Sequence, residues 1–383
     1  MRLIVGQSDD VVAVDAVAAA IAMCDAQLSG LSPVAALVFA SSSYEHDAVL
    51  AAVARRWPGL PIVGCSTDGE MSSASGHHDD SVIVGLLVPW SEHTALSVET
   101  GSFKALSQDI DGSVESVMKQ VLREDEQPKL FFVFTNPFAG DLQQLARGIH
   151  ERVECSVLGG GAGAHRTTLG PPGPVQFVGE EVLDDGLVVM AVYGDVLMGE
   201  GVATGWQPIG PSYTVTRSEG PLVFEVDGEP VLEKFKDFYC DDGIAVLGSA
   251  PLEVVYGNER YMRAVFEVDR DVGFAAFGGA VPEGSKVRVT EVLRGGVVDG
   301  TRRSVGGALE QYPGIAPQGV FLVHCAASKW VMGTRAADAT QAVDEQVEGL
   351  PWMGFYAFGE MATHDSGVRF HNHTCCSMVF GAA

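Results

Sequence analysis

The chain has 383 residues, of which 46% are hydrophobic, and no low-complexity tract, so it is long and apolar enough for a large folded core in two or three domains. Its formal net charge of −26 argues against nucleic acid as a partner, because a polyanion would be repelled. No apolar run reaches the length of a membrane span and the N-terminus is unlike a signal peptide, so we expect a cytoplasmic protein with no membrane partner.

In chain order, the first part of the sequence alternates helical and strand patterns. Residues 10–27 and 45–57 have the amphipathic spacing of helices, and residues 34–40 form an apolar run typical of a buried strand. Residues 60–71 predict a second strand that runs into a glycine turn, and residues 81–88 predict a returning strand. A helix between the first two strands predicts that they pair in parallel.

The same order of elements returns near the C-terminus and, more weakly, in between. Segment 350–361 repeats the frame Leu-Pro-x-x-Gly-x-x-x-x-Gly-Glu-Met of segment 60–71, which places Glu70 and Glu360 at matching exits from glycine turns. The middle copy has a glycine cluster at 159–163 in the turn position. We therefore predict an α/β fold of repeated helix-strand-helix-strand-turn-strand units that form mainly parallel or mixed sheets.

A change of pattern near residues 205–211 predicts a domain boundary there. Beyond it the sequence becomes strand-rich, with predicted strands at 213–216, 244–247, 260–268, 274–277 and 286–293 and a helix at 231–238. The α/β pattern resumes beyond Asp299. The sequence thus predicts an α/β domain at 1–205 and a mixed domain at 206–383 with a strand-rich insertion.

Polar side chains follow the first two predicted strands at the point where each strand ends. Ser41 comes after the first strand, and Ser66, Thr67 and Asp68 come after the second. Because ligands of parallel sheets bind outside the carboxyl ends of the strands, these residues are candidates for one wall of a pocket. Serines before a helix also act as N-terminal caps, and that alternative explains Ser41 equally well.

Two further segments invite a chemical interpretation. Cys65 or Ser66 could serve as the nucleophile of a hydrolase, although the sequence lacks the Gly-x-Ser-x-Gly spacing of a nucleophile elbow. The glycine cluster that includes Gly160 lacks dinucleotide and nucleoside-triphosphate signatures. Its backbone N–H groups could face an anion, or the cluster could be a close-packed turn.

The segment 370–376 predicts a strand that carries His371, His373 and Cys375 on one face. Three soft ligands on one face could hold a transition metal, and haem ligation by a histidine is a related alternative. The spacing suits two ligands better than three, and there is no Cys-x-x-Cys-His haem-attachment signature. We therefore expect no cofactor, with haem or a transition metal as the alternative. Seven cysteines without a Cys-x-x-Cys pair favour a reducing compartment.

Several of these motifs together resemble the FIST proteins, in the same order and over nearly the whole chain. The matching segments are 64–70, 159–163, 260–263, 281–284, 354–361 and 371–374. The resemblance implies an intracellular sensory module of N-terminal and C-terminal FIST domains that binds a small ligand, such as an amino acid. It also implies a signalling partner such as a sensor kinase or chemoreceptor. The chain departs from the family at residues 326–329, where Ala-Ala-Ser-Lys replaces an expected arginine.

The resemblance and the polar residues lead to one hypothesis, a non-enzymatic sensor that binds a small polar metabolite between its two domains. Arg260 or Arg263 would bind a carboxylate, while Asp68 or Glu360 would bind an ammonium group. The arginines could instead pair with Glu259 or Glu267. The candidate ligand-binding residues are Ser41, Ser66, Thr67, Asp68, Glu70 and Gly160 from the first domain and Arg260, Arg263, Tyr356, Glu360 and Asn372 from the second. The competing hypotheses are a haem- or metal-based gas or redox sensor and a hydrolase using Cys65 or Ser66.

Overall fold

The computed structural model describes residues 1–165, 173–236, 251–364 and 367–381. The described residues form three α/β units and a strand-rich insertion between the second and third units. Among the described residues, no helix combines the length and the apolar character needed to cross a membrane.

The first unit follows the predicted order, with one additional strand at its start. Its elements are β1 (Arg2–Ser8), α1 (Ala13–Gln27), β2 (Ala35–Ser41), α2 (His46–Arg56), β3 (Ile62–Thr67), β4 (Glu70–Ser72), β5 (Gly76–His78) and β6 (Val82–Val88). The glycine turn between β3 and β4 has Gly69 at φ +114°, a conformation that side chains with a Cβ rarely adopt.

The second unit repeats this order with a longer connection in place of the tight turn. Its elements are β7 (Leu96–Lys104), a 3₁₀ turn (Leu106–Gln108), α3 (Ile110–Val121), β8 (Leu130–Thr135), α4 (Leu142–His150), β9 (Ser156–Gly161), β10 (Gln176–Val178), β11 (Glu181–Leu183) and β12 (Gly186–Gly194). The strand β13 (Leu197–Ala203) follows and joins the sheet of the third unit.

The insertion is the strand-rich region that the change of pattern predicts. It contains β14 (Gln207–Pro208), β15 (Tyr213–Glu219), β16 (Leu222–Val226), β17 (Glu229–Pro230), α5 (Val231–Lys234), β18 (Leu252–Tyr256), β19 (Glu259–Arg263), β20 (Val265–Asp269), β21 (Phe274–Phe277) and β22 (Lys286–Glu291). These strands form one antiparallel sheet. The strand predicted at 260–268 is two strands that belong to different ends of this sheet, and the strand predicted at 244–247 lies outside the described residues.

The third unit completes the repeat. Its elements are α6 (Arg294–Gln311), β23 (Pro317–Cys325), α7 (Ala326–Met332), a 3₁₀ turn (Gly333–Arg335), α8 (Ala337–Val347), β24 (Trp352–Ala357), β25 (Glu360–His364), β26 (Gly367–His371) and β27 (Cys375–Gly381). The strand predicted at 370–376 is wrong, because β26 ends at His371 and β27 begins at Cys375. Between them His373 takes a left-handed conformation with φ +58°, so the two histidines and Cys375 do not alternate along one strand.

Each unit contains the parallel pair that the helical crossover predicts, namely β2 with β3, β8 with β9, and β23 with β24. The hairpin after each glycine turn pairs with the sheet of another unit. The hairpin β4–β5 extends the third unit's sheet, β10–β11 extends the first unit's sheet, and β25–β26 extends the second unit's sheet. The three units are therefore joined in a closed cycle by exchange of hairpins.

The three sheets face one another across a shared apolar core. Phe39 of the first unit stacks on Phe355 of the third at a centroid distance of 4.4 Å and meets Phe134 of the second edge-on at 5.4 Å. All three rings are fully buried, and each contributes about 1.5–3 kcal/mol relative to an exposed ring. The helices cover the outer faces of the sheets. Backbone hydrogen bonds between the turns that follow β3, β9 and β24 bring the carboxyl ends of the parallel strands of all three units together.

Candidate functional site

Backbone hydrogen bonds link the three turns at the carboxyl ends of the parallel strands. The N–H groups of Asp68, Gly163 and Phe358 donate to the carbonyls of Tyr356, Ser66 and Gly161, at 3.0, 2.8 and 3.1 Å. The N–H groups of Ser66, Tyr356 and Gly161 donate to the carbonyls of Val175, Gly69 and Gly359, at 2.9 Å each. We call this arrangement the turn ring. It defines equivalent positions in the three units, because each unit gives and receives the same bonds.

Glu70 and Glu360 occupy equivalent positions beside the turn ring, as the repeat predicts. Both are fully buried, and each begins the first strand of its hairpin. Glu70 accepts hydrogen bonds from the backbone N–H and hydroxyl of Ser81, at 2.9 and 2.8 Å, and Glu360 accepts the same pair from Thr374, at 3.1 and 2.7 Å. Burial raises the pKa of each carboxyl to about 8, because the charged form loses its hydration.

Asp68 is held at the turn ring by the segment that departs from the family pattern. Lys329 Nζ lies 3.1 Å from the carboxylate of Asp68 and 3.1 Å from that of Asp79, and Trp330 Nε1 donates to Asp68 at 2.6 Å. Burial raises the pKa of Asp68, and the ammonium group of Lys329 partly offsets this rise. The expected arginine is thus replaced by a lysine that binds a carboxylate of the protein itself.

The remaining candidates of the first domain are also buried within the protein. The hydroxyl of Ser41 donates to Asp80 at 2.5 Å, and that of Thr67 donates to Glu70. Gly160 pairs with Glu360 between β9 and β25, and Tyr356 of the second domain is buried as well. The structure therefore gathers most of the predicted site residues at the turn ring, where their polar atoms contact the protein.

Cys65 and Ser66, the candidate nucleophiles, lie at the same ring. The hydroxyl of Ser66 donates to the carbonyl of Gly163 at 2.8 Å and accepts from the N–H of Val175 at 2.9 Å. Burial raises the pKa of the Cys65 thiol well above its usual range, which disfavours the nucleophilic thiolate. Among the described residues, neither side chain hydrogen-bonds to a histidine that could act as a base.

Arg263 lines a pocket of about 270 Å³ that lies between α4, the hairpin β18–β19 and β26. Its guanidinium is buried against the ring of Tyr261, at 4.2 Å from the ring centroid. It donates to the carbonyls of Phe370 and Met262, at 2.9 and 3.1 Å, to Ala280, and to the side chain of Gln143 at 3.2 Å. Burial lowers the pKa of Arg263, and the described residues offer it no carboxylate within ion-pair distance.

The lining of this pocket carries a surplus of positive charge. Arg147 projects from α4, and its guanidinium makes no hydrogen bond or ion pair with the residues that the structure describes. Arg369 binds Glu259, the one acidic residue among the described residues of the lining, at 2.9 Å. Of the residues that the structure describes, three arginines and one glutamate therefore face a small space in a protein whose overall charge is strongly negative.

The other candidates of the second domain lie apart from this pocket. Arg260 is mostly exposed and binds Glu253 at 3.0 Å. Asn372 is buried, and its side-chain oxygen accepts the N–H of Ala264 at 3.2 Å. His371 and His373 are buried as well. Within the described ranges, no three His, Cys, Asp or Glu side chains come together as a metal site would require.

Sequence models of two family domains match the chain. The FIST N domain matches residues 34–229 and the FIST C domain matches residues 236–363. The chain belongs to the FIST family. These matches confirm the resemblance drawn from the motifs. FIST domains are sensory domains in signal transduction.

Both FIST domains contribute residues to the lining of the arginine-lined pocket. Gln143, Arg147 and His150 come from the FIST N domain, while Tyr261 and Arg263 come from the FIST C domain. The pocket thus has the position between two domains at which small-ligand sites are common.

This FIST protein is similar to mycobacterial proteins and aligns weakly with a solved structure. An uncharacterized protein of Mycobacterium tuberculosis is 24% identical over 99% of this chain and 100% of its own length. A second, from Mycobacterium bovis, is 24% identical over 47% of this chain and 49% of its own length. A cyanuric acid hydrolase from A. caulinodans aligns with a TM-score of 0.34 at 10% identity, over 100% of this chain and 99% of that one.

Sequence reasoning missed the contribution of α4 to the arginine-lined pocket. Gln143, Arg147 and His150 are spaced by four and three residues, so they share one face of the helix. The polar face of this short amphipathic helix, with its arginine, could have been recognised in the sequence as a candidate binding surface. The segment that packs against this face could not be predicted, because the insertion that covers it lies far away in the chain.

Proposed function

We propose that this FIST protein is a cytoplasmic sensory module that binds a small metabolite with a carboxylate group, such as an amino acid or another small carboxylic acid, in the pocket lined by Arg147 and Arg263. The observation that carries the proposal is the exposed Arg147, without a described acidic partner, beside the buried and unpaired charge of Arg263. A carboxylate would supply the negative charge that the lining lacks.

The contacts suggest how a carboxylate would be held. Arg263 has committed most of its N–H groups to carbonyls and to Gln143, so it contributes mainly charge and one remaining N–H. Arg147 is free to turn its guanidinium toward the ligand and donate two parallel hydrogen bonds. The rings of Tyr256 and Tyr261 supply apolar walls.

An amino acid would need an acceptor for its ammonium group as well. Asp68 and Glu360 lie at the turn ring, so Glu259 is the acidic side chain that the described part of the lining offers. Its existing bond to Arg369 at 2.9 Å leaves the second carboxylate oxygen for the ligand. A volume of about 270 Å³ suits a molecule of this size and is below the range of drug-sized sites.

Occupancy of the pocket would be transmitted through the elements that line it. A ligand bound to α4, β19 and β26 would tighten the contact of the insertion with the second unit. A partner such as a sensor kinase or chemoreceptor could bind one of the two states preferentially. The ligand shifts the equilibrium only by its difference in affinity for the two states.

A panel of small molecules tests the ligand class. The melting temperature of the protein would be measured with amino acids, dicarboxylates, other monocarboxylates and phosphate esters, together with neutral amides and amines of matched size. We expect carboxylates to raise the melting temperature in a concentration-dependent way, because they bind the folded state. Stabilisation by neutral or cationic compounds alone would contradict the proposal, as would an unchanged melting temperature across the whole panel.

A further inference from the structure

A second and wider pocket adjoins the arginine-lined pocket at the C-terminal end of α4. It holds about 590 Å³ between α4, the strand β13 and the hairpin β25–β26. His150, Gly367 and Val368 line both pockets, so the two spaces share a border. We call the wider pocket the side groove.

The ring of His150 stands at this border. It lies over Gly367, where a Cβ would come within 3.1 Å of the ring atom Nε2. His150 is exposed, and its side chain makes no hydrogen bond or ion pair with the residues that the structure describes. Exposed side chains without such contacts change rotamer quickly. The ring therefore does not close the border against a ligand that spans both pockets.

The floor of the side groove is apolar. Pro128 is buried, and Val153 and Val368 are 2% and 4% exposed because they belong to the core of the second unit. Met198 of β13 is partly exposed and packs against the core that the three sheets share. Methionine side chains adapt to apolar groups of irregular shape. The floor thus suits hydrocarbon better than a polar group.

The two pockets differ in charge. In the described lining of the side groove, Lys129 and Glu154 are exposed and carry one charge of each sign. The described lining of the arginine-lined pocket has three arginines and one glutamate. A ligand that spans both pockets would therefore place its anionic end near Arg147 and an uncharged part in the side groove.

The volumes favour a site that includes both pockets. Typical small-molecule sites measure about 300–1,000 Å³. The arginine-lined pocket, at about 270 Å³, falls just below this range, and the side groove, at about 590 Å³, falls within it. The side groove alone lacks a group that would fix the orientation of an apolar guest, and the arginines next to it supply such groups.

We propose that the two pockets form one site, and that its ligand is a carboxylic acid with a flexible apolar tail of several carbon atoms. This inference rests on the carboxylate site proposed above and specifies the part of the ligand that lies outside the arginine-lined pocket. The carboxylate binds Arg147, and the tail passes His150 and covers Met198. Binding removes the tail and the apolar floor from water.

A series of acids of increasing length tests the proposal. Acetate, butyrate, hexanoate and octanoate would be titrated into the native protein by calorimetry, with hexanol and hexylamine as compounds that have the tail without the carboxylate. We expect each methylene that enters the side groove to strengthen binding by up to about fourfold, the effect of burying one CH₂ group. Hexanol and hexylamine should bind much more weakly than hexanoate, because they cannot pair with Arg147.

Two neighbouring positions of β13 provide matched variants. Successive side chains of a strand point to opposite faces, so Met198 lines the side groove while Leu197 packs under the third unit's helices. Met198→Gln should weaken octanoate binding about fivefold relative to acetate binding, because the tail loses an apolar contact. Leu197→Gln should leave the ratio of the two affinities unchanged. The ratio is the readout, since a general loss of stability would weaken both ligands.

Four outcomes would overturn the inference. Equal affinities for acetate and octanoate, both dependent on Arg147, would exclude the side groove and leave the carboxylate site in place. Hexanol that binds as tightly as hexanoate would identify the groove as a separate apolar site. The same change of the affinity ratio in both variants would contradict the assigned position of the tail. An absence of binding by every acid in the series would refute the proposed function, and this inference with it.

Discussion

Lys329 Nζ lies 3.1 Å from Asp68 Oδ1, and this buried ion pair joins the third unit to the turn of the first unit. Both side chains are almost completely buried, so neither charge is compensated by water. Removing one partner of such a pair usually costs far more than the pair contributes. The cycle of exchanged hairpins thus contains a specific electrostatic contact at its centre.

We expect Lys329→Met to destabilise the protein by about 3–5 kcal/mol, because Asp68 would keep its burial and lose its cation. The double variant Lys329→Met/Asp68→Asn should recover most of this loss. Denaturant unfolding measures both. As a control, Arg56→Met removes an exposed ion pair with Asp25 and should leave the stability close to that of the native protein. A Lys329→Met protein as stable as the Arg56→Met protein would contradict the assignment.

Glu70 and Glu360 should make the protein less stable as the pH rises. Each carboxyl has a pKa of about 8 when folded against an ordinary value of 4.5, so the folded state holds the proton more tightly. This contribution to stability is complete below pH 4.5 and is lost as the pH rises through 8. The steepest loss should therefore fall between these values, at up to about 1.4 kcal/mol per pH unit for each group.

The variant Glu360→Gln tests this dependence of stability on pH, because a glutamine already stands at the equivalent position of the second unit. Gln176 occupies the equivalent place in the second unit, where it is buried and accepts the N–H of Gly186 at 2.7 Å. The stability of the variant should fall less steeply as the pH rises, and the variant should be more stable than the native protein above pH 8. Thermal unfolding from pH 5 to 9 measures it. Parallel curves for the two proteins would show that Glu360 is ionised at neutral pH.

The glycine turns should not tolerate side chains. Gly69 and Gly359 have φ values of +114° and +98°, and a Cβ on Gly359 would lie 2.1 Å from the ring of Phe370. We expect Gly359→Val to destabilise the protein by about 1–3 kcal/mol from backbone strain, with an added cost from the clash. In Gly295→Ala, a control in α6 with open space around the new Cβ, the melting temperature should rise slightly. Equal melting temperatures for both variants would refute the turn geometry.

Much of the fold could be predicted because its signals are local. The helical and strand periods, the parallel pairs and the equivalence of Glu70 with Glu360 all follow from short segments. The exchange of hairpins could not be predicted, because the local sequence pattern of a strand does not show which distant strand it pairs with. For the same reason the surroundings of Ser66, Thr67 and Asp68 could not be predicted. These residues lie at strand ends as expected, but they contact other turns of the chain instead of an open pocket.

The candidate site was predictable only in part. Arg260 and Arg263 are three positions apart on one strand, so they point to opposite faces and only one of them can line a given pocket. Packing against Phe370 and Gln143 decides in favour of Arg263, and both residues are far from it in the chain. Arg147 completes the lining from a helix that the sequence assigns to a different domain.

The most direct test of the account is calorimetric titration of the stabilising carboxylates into the native protein, Arg147→Ala and Arg260→Ala. Both substitutions remove an exposed arginine, and only Arg147 faces the pocket. We predict that Arg147→Ala weakens binding about tenfold or more, the loss of a charge-assisted pair of hydrogen bonds, while Arg260→Ala binds like the native protein. Binding that survives Arg147→Ala unchanged, or that is lost equally in both variants, would contradict a carboxylate site in this pocket.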